Sequence, residues 1–356
     1  MVKRVGIVGG GQLAQMMAKA GQSLGLSFSF LDPNPDACAF AYGHGIIGNY
    51  DDTDKLAELA SHSDVITFEF ENVPAESILY LHSLVPVYPS PDALKVTQDR
   101  FSEKTLFQSL GIPTVRFLTV TTVDDLRHAA QELGVPFIIK TRRQGYDGKG
   151  QAVVRDYEML DDVFDRFSGH DLIAEAMAPF SREISVIGVR SHTGEKRFFD
   201  ISVNVHENGI LKTAHAQHHD HCETLARTYV STLMDYFNYV GVFTLELFDC
   251  PQGILANEYA PRVHNSGHWT IEGAETSQFE THLRAICHLP LGGMDSIGFP
   301  AIINCIGTLP DASQFLESPH LTLHSYNKQP RPGRKLGHLF VTATTPAERD
   351  SVLHSR

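Results

Sequence analysis

The chain has 356 residues, 42% hydrophobic and 20% charged, with a net charge of −13. That length suits two or three domains, and the acidic balance argues against a general binder of nucleic acid or of anionic membranes. Five scattered cysteines with no C-x-x-C spacing read as reduced cytoplasmic thiols, and no apolar run approaches a membrane span.

A β-run over 2–8 (VKRVGIV) breaks into Gly9-Gly10-Gly11-Gln12-Leu13-Ala14, followed by a helix over 14–20 and a second strand over 27–32. The strand starts so early that no signal peptide is left to read. This βαβ opening carries G-x-G-x-x-A at its turn and an acid, Asp32, after the second strand. A phosphate or carboxylate at the helix N-terminus is favoured over a whole dinucleotide. The next strand carries Val65 to Val73 as VITFEFENV, whose alternation places Glu69 and Glu71 on one side. Glu71 and Asn72 lie at its C-terminal end, where open α/β sheets bind ligands; an exposed strand end is the plainer reading. The Pro-rich stretch 85–91 marks a first boundary, giving a Rossmann-like domain over 1–95.

Helices follow over 99–110, stopped by Gly111-Ile112-Pro113, and over 123–133. Then Phe137, Ile138 and Ile139 form a short buried strand with Lys140 at its end. The loop Gly145-Tyr146-Asp147-Gly148-Lys149-Gly150-Gln151 interleaves three glycines with a cation, an acid and a phenol. Such a loop reads either as a clasp for phosphate oxygens or as a flexible hairpin tip. It is not a P-loop, since no G-x-x-x-x-G-K-[ST] occurs. A strand over 172–175 ends in Glu175, and another over 182–189 begins with Arg182-Glu183, by default a surface salt bridge. The stretch 214–222 (AHAQHHDHC) invites a zinc reading, yet structural zinc sites draw ligands from separated knuckles, so a polar loop is expected.

Two strands over 242–248 (VFTLELF) and 254–259 (ILANEY) are joined by Asp249-Cys250-Pro251-Gln252-Gly253. A three-residue loop, 251–253, with glycine in the left-handed position pairs Cys250 with Ile254 and sets Glu246 opposite Glu258. Like charges there repel, and a hard divalent cation between them, magnesium or manganese, turns the penalty into a site. Immediately after come Arg262, His264, Asn265, Ser266, His268 and the only tryptophan, Trp269. Arg262 can grip a small planar oxyanion. A helix over 280–285 leads to a second boundary at 289–293. The middle domain therefore spans 96–291, and a small β-rich domain spans 292–356. In the latter, Lys328, Arg331, Arg334 and Lys335 make a basic cluster in an acidic protein, a phosphate partner or a solvated turn.

Together these motifs resemble the ATP-grasp superfamily, and within it the 5-(carboxyamino)imidazole ribonucleotide synthases. The resemblance runs from Gly9-Gly10-Gly11-Gln12-Leu13 through Phe70-Glu71-Asn72-Val73, Lys140-Thr141-Arg142-Arg143 and the glycine loop. It continues through Ala260-Pro261-Arg262, His264-Asn265-Ser266-Gly267-His268, Ser277-Gln278-Phe279-Glu280 and Arg331-Pro332-Gly333-Arg334-Lys335. It implies an ATP-grasp fold with a Rossmann-like domain before it and a small C-terminal domain after it. The implied reaction is ATP-dependent carboxylation of 5-aminoimidazole ribonucleotide with bicarbonate, through carboxyphosphate, in purine biosynthesis. A sister ligase, a formate-dependent transformylase or a biotin carboxylase, is the alternative; a dehydrogenase or a nucleotide sensor fits less of the chain. A cytoplasmic homodimer with no nucleic-acid or membrane partner is implied.

By resemblance, ATP would be held by Arg100, Lys140, Gly145, Tyr146, Asp147, Gly148, Lys149, Gly150, Gln151, Glu175, Ala176, Met177, Ala178, Glu183, His206, Asn257 and Glu258. Glu246 and Glu258 would carry magnesium, with manganese a substitute. Arg262, His264 and Asn265 would hold bicarbonate and the intermediate, with Asp147 or His264 accepting the amine proton. Glu71, Tyr146, Asp147, Ser266, Lys328, Arg331, Arg334 and Lys335 would surround the ribonucleotide, and Lys328 is also counted with the catalytic group. Four positions depart from the family pattern: Ala14, Gln144 and Asn327 stand where glycine is usual, and Val203 where an acid is.

Overall fold

The first strand, β1 (Arg4–Val8), lies in a parallel sheet with β2 (Ser27–Asp32), β3 (His44–Ile47) and β4 (Val65–Phe68), in the order β3-β2-β1-β4. In the computed structural model the described residues are 3–145, 150–311, 313, 315 and 318–355. Val5, Ile7, Val8, Phe28, Phe30 and Leu31 are all buried, as expected where helices cover both faces of parallel strands. The crossover helices are α1 (Gln12–Gln22), α2 (Thr53–Ser61) and α3 (Ala75–Leu84).

Beyond the proline-rich linker, α4 (Pro91–Thr97) and α5 (Arg100–Ser109) lead into a small antiparallel sheet. Asp99 caps α5 by accepting from the Phe101 and Ser102 amides. The small sheet has the order β5-β8-β6-β7, from β5 (Phe117–Val120), β6 (Phe137–Thr141), β7 (Gln151–Val154) and β8 (Leu172–Ala176). It is backed by α6 (Val123–Leu133) and α7 (Leu160–Arg166). The glycine loop joins β6 to β7; of it, Tyr146, Asp147, Gly148 and Lys149 lie outside the described residues.

The largest layer is a sheet of nine described strands. Its members are β9 (Arg182–Arg190), β10 (Lys196–Phe198), β11 (Ile201–Glu207), β12 (Ile210–Gln217), β13 (Gly241–Cys250) and β14 (Gly253–Ala260). To these are added β15 (Ala301–Ile306), β16 (Leu321–Ser325) and β17 (Lys335–Val341). The order is β14-β13-β9-β11-β12-β15-β17-β16, with β10 on β9. The C-terminal strands thus prolong the central sheet through β12, where Thr213 pairs with Ile303. Helices α8 (Glu223–Tyr236), α9 (Thr270–Gly273), α10 (Gln278–Ile286) and α11 (Pro346–His354) complete the fold. On α10, His282 bridges two layers: its Nδ1 accepts from the Val242 amide at 3.1 Å, and its Nε2 lies 3.0 Å from Thr67 Oγ1.

Candidate active site

The N-terminal sheet, the small sheet and the central sheet meet around a cavity of about 540 Å³. Glu69 and Glu71, Arg100 and Glu103, Gly145, His206, Glu246, Glu258, Arg262, His264, Asn265 and Lys335 line it.

The acidic hairpin has the expected register at its functional end by a different route. Cys250 pairs with Gly253, so the loop is Pro251-Gln252, one residue shorter than expected. Gly253 has φ +122°, a conformation that an L side chain rarely adopts. The short loop would leave Glu246 opposite Asn257, but the register shifts between Glu246 and Leu247. That bulge restores Glu246 opposite Glu258. Burial, then the neighbouring charge of Glu258, pushes the Glu246 carboxyl above its ordinary value. Glu103 on α5 is buried and raised for the same two reasons. The crowding of carboxylate oxygens fits a hard divalent cation. His206 pairs with Glu183 at 2.8 Å; burial pulls its pKa down, but Glu183, Glu246 and Glu258 outweigh this and raise it.

On the small sheet, Lys140 Nζ lies 2.8 Å from Glu175 Oε2, and Lys104 of α5 reaches the same oxygen at 3.5 Å. Burial alone would raise Glu175, yet Lys140 and then Lys104 hold its carboxyl below the usual range. Glu175 Oε1 is buried with no hydrogen-bond partner among the described residues. Arg100 braces the start of the glycine loop, donating to the carbonyls of Thr141 at 2.9 Å and Gly145 at 2.8 Å. Gln151 and Gly150 follow at the opening of β7, and Ala176, Met177 and Ala178 run out of β8, with Met177 exposed. The usual glycine replaced by Gln144 explains itself: Gln144 has φ +65°. Asn327 likewise has φ +55°, which asparagine tolerates better.

Past β14 the chain places Arg262 against Glu71, an ion pair across the domain boundary. His264 Nδ1 takes the Ser266 amide at 3.3 Å and lies 2.9 Å from Ser266 Oγ. Its Nδ1 is therefore unprotonated, and Nε2 carries the hydrogen that faces Glu246 Oε1 at 3.3 Å. Burial first, then Arg262 and Lys335, hold His264 well below its ordinary pKa, so it is neutral. Asn265 and Asn304 exchange amide hydrogen bonds of 2.7 and 3.1 Å.

Several expectations need correction. Ser266, expected at the ribonucleotide, is fully buried, and its Oγ accepts from Ser185 at 2.7 Å while it orients His264. Arg182 and Glu183 do not pair: adjacent strand residues point to opposite faces, so Arg182 meets Asp220 and Asp249 while Glu183 meets His206. Glu69 and Glu71 do not share a strand face, because β4 ends at Phe68. Instead the Glu69 carboxylate accepts from the amides of Gly11 at 2.5 Å and Ala14 at 3.0 Å. The anion expected at the α1 N-terminus is thus the chain's own, and a Cβ on Gly11 would come 2.6 Å from Glu69 Oε1. Asp32 is likewise engaged, by the Gly10 amide at 2.7 Å and the Tyr50 hydroxyl at 2.9 Å. The amides of Gly10, Gly11 and Ala14 are thus engaged by carboxylates of the chain itself.

Within the basic cluster, burial first and then the charges of Arg334 and Arg331 hold Lys328 below its ordinary pKa, Cys38 and Glu69 opposing them. Lys335 lines the cavity, Lys328 donates to Gln12, Arg334 ties back to the Gln329 carbonyl at 3.1 Å, and Arg331 is exposed. In the histidine-rich stretch, Asp220, His221 and Cys222 lie close together, but Arg182 already occupies Asp220 at 2.6 Å. His218 instead pairs with Asp200 at 2.9 Å. Glu69, Glu103, Lys104 and Asn304 belong to the site without a local sequence signal. All four act through partners distant in sequence, which local spacing does not reveal.

Three family profiles cover the chain: a ribonucleotide synthetase preATP-grasp domain over 2–98, an ATP-grasp domain over 105–279, and a phosphoribosylaminoimidazole carboxylase C-terminal domain over 301–351. The N5-carboxyaminoimidazole ribonucleotide synthase of Pseudomonas aeruginosa is 46% identical over 335 residues, 94% of this chain and 93% of that one. The crystal structure of the synthetase of that name from Thermus thermophilus superposes with a TM-score of 0.94 at 44% identity, covering 98% of this chain and 96% of that one. The Aspergillus clavatus synthase in complex with ADP and 5-aminoimidazole ribonucleotide superposes with a TM-score of 0.92 at 29% identity, covering 99% and 97%.

Proposed function

This chain belongs to the N5-carboxyaminoimidazole ribonucleotide synthases, and on that premise we propose a division of labour among its residues. It is an ATP-grasp ligase of purine biosynthesis that carboxylates 5-aminoimidazole ribonucleotide at the expense of ATP. The observation that carries the assignment of roles is the meeting, in one cavity, of the acidic hairpin pair with Arg262, His264 and Asn265.

Lys140, Arg100, Glu175 and the glycine loop hold ATP, with Ala176, Met177, Ala178, Glu183, His206 and Asn257 around it. Glu246 and Glu258 would hold magnesium, which would supply charge neutralisation at the phosphates. Arg262 grips bicarbonate, whose oxygen attacks the γ-phosphorus; ADP leaves and carboxyphosphate forms. This anhydride is short-lived in water, so solvent must be kept from it; Tyr146, Asp147, Gly148 and Lys149, the glycine-loop residues expected to do so, lie outside the described residues. The exocyclic amine of the ribonucleotide then bonds to the carboxyl carbon as phosphate leaves. His264 is a donor toward Glu246, so its tautomer supports Asp147 as acceptor of the amine proton. Glu71 and Lys335 hold the ribonucleotide from inside the cavity, with Lys328, Arg331 and Arg334 drawing its phosphate in.

A cytoplasmic homodimer is the expected form; the five unpaired cysteines agree with a reducing compartment. No helix among the described residues is long and apolar enough to cross a membrane. Sedimentation of the purified protein tests the dimer. The reaction is tested by ADP release with ATP, magnesium and bicarbonate, with and without 5-aminoimidazole ribonucleotide. A large ribonucleotide-dependent rise is expected; a flat trace with ATP still bound would reject this acceptor.

A further inference from the structure

Lys104 is 1% exposed, a cationic side chain sealed beneath the cavity rather than lining it. Burying an ammonium costs several kcal/mol unless partners offset it, so its contacts carry information. Its Nζ donates to the Asn257 carbonyl at 3.1 Å and to Thr114 Oγ1 at 3.4 Å, and lies 3.5 Å from Glu175 Oε2. Asn257 is the extra residue of the β14 bulge.

The surroundings repeat the pattern. Thr114 Oγ1 donates to the Ala256 carbonyl at 2.7 Å, and the Ala256 amide donates to the Pro113 carbonyl at 2.7 Å. Glu103, the neighbour of Lys104 on α5, accepts the Tyr259 amide at 2.8 Å. Backbone groups on both sides of Glu258 are therefore held from α5: the carbonyl before it by Lys104, the amide after it by Glu103. Side chains alternate along a strand, so a β14 without its bulge would place Asn257 opposite Glu246 and turn Glu258 to the other face.

We propose that Lys104 is a positioning residue that holds the bulge at Asn257, and with it Glu258, while tying this strand to Glu175 on the small sheet. It rests on reading Glu246 and Glu258 as the metal pair. Lys104 touches no reacting atom in this scheme; it sets where a metal ligand points. Because Glu175 Oε2 is shared with Lys140, the same contact couples the nucleotide side of the cavity to the metal side.

The test is Mn2+ binding to the whole protein in the presence of ADP, followed by the paramagnetic resonance signal of the free ion. Lys104→Met is expected to weaken Mn2+ binding about tenfold, the range typical of lost outer-shell partners, and Lys104→Arg to recover part of it. KM for the ribonucleotide should stay at its original value, since the defect is at the metal and nucleotide side. Glu258→Gln is run alongside. If it retains Mn2+ binding, the metal pair itself is misassigned. If it loses Mn2+ while Lys104→Met binds as tightly as the original protein, the Lys104 proposal alone is overturned. Should Lys104→Met fail to fold, Thr114→Val carries the test: weaker Mn2+ binding supports the proposal and unchanged binding overturns it.

Discussion

Glu71, beyond the last strand of the N-terminal sheet, and Arg262, just beyond β14, pair carboxylate to guanidinium across the cavity, with side chains 25% and 15% exposed. The pair joins two layers that also share a hydrophobic core, at the point where the ribonucleotide and bicarbonate are expected to meet. Glu71→Gln leaves Arg262 half-buried beside a neutral partner. Stability should fall by roughly 1–3 kcal/mol, less than for a fully buried pair because water reaches this one. KM for the ribonucleotide should rise while KM for ATP stays put. Urea unfolding and steady-state kinetics read the two effects, and a rise in KM for ATP alone would contradict the assignment.

Glu246 and Glu258 repel each other in the protein without a cation. Glu258→Gln relieves that repulsion, so its melting temperature in metal-free buffer should match or exceed the original. ADP formation should drop by roughly a hundredfold or more, the scale of losing a preorganised charge-stabilising group. Near-normal turnover in Glu258→Gln would remove the metal assignment.

His282 is buried and neutral, its pKa lowered by burial to about 4 from 6.5. Its Nδ1 accepts the Val242 amide, so Nε2–H donates to Thr67 and protonation at Nδ1 breaks the first bond. Between pH 6.5 and 4 the unfolded chain binds the proton that the folded chain refuses. Stability should therefore fall as pH drops through that window, and this contribution should be fully present only above 6.5. The full excursion corresponds to about 3 kcal/mol. His282→Gln should reduce the acid slope of denaturation curves measured from pH 7 to pH 4; an unchanged slope would count against a buried neutral imidazole.

Gln144 sits at φ +65°, a left-handed conformation costing a side-chain-bearing residue about 1 kcal/mol. Gln144→Gly removes that cost and adds some unfolded-state entropy, so a gain of about 0.5 kcal/mol is expected. Thermal melts should move up slightly, with kcat unchanged. A lower melting temperature would mean that the glutamine side chain contributes a contact worth more than the backbone strain.

Much of this architecture is legible from local patterns. Helix α6 runs over Val123–Leu133 as read, because Thr122 and Asp125 form a reciprocal cap at its start and Gly134 stops it. The opposition of Glu246 and Glu258 is legible too, but through an assumed three-residue turn. The real turn is shorter and the bulge makes up the difference. What escapes local reading needs partners far along the chain. Lys104 reaches Asn257 across 153 positions, and Glu69 reaches Gly11 across 58. A glycine-rich turn announces an anion without saying whether that anion is a ligand or a side chain. Asparagine or glutamine in a glycine's place becomes intelligible once the backbone angle there is known.

The continuity of the central sheet bears on how the chain comes off the ribosome. Until β15 has been made, β12 presents its outer hydrogen-bonding groups with no neighbour, since β15 is the strand that pairs there. An open edge of that kind is a template for pairing with another nascent chain. The last strands to be synthesised thus seal an edge as well as delivering Lys335 to the cavity, and a stalled or prematurely released chain is exposed to aggregation at β12.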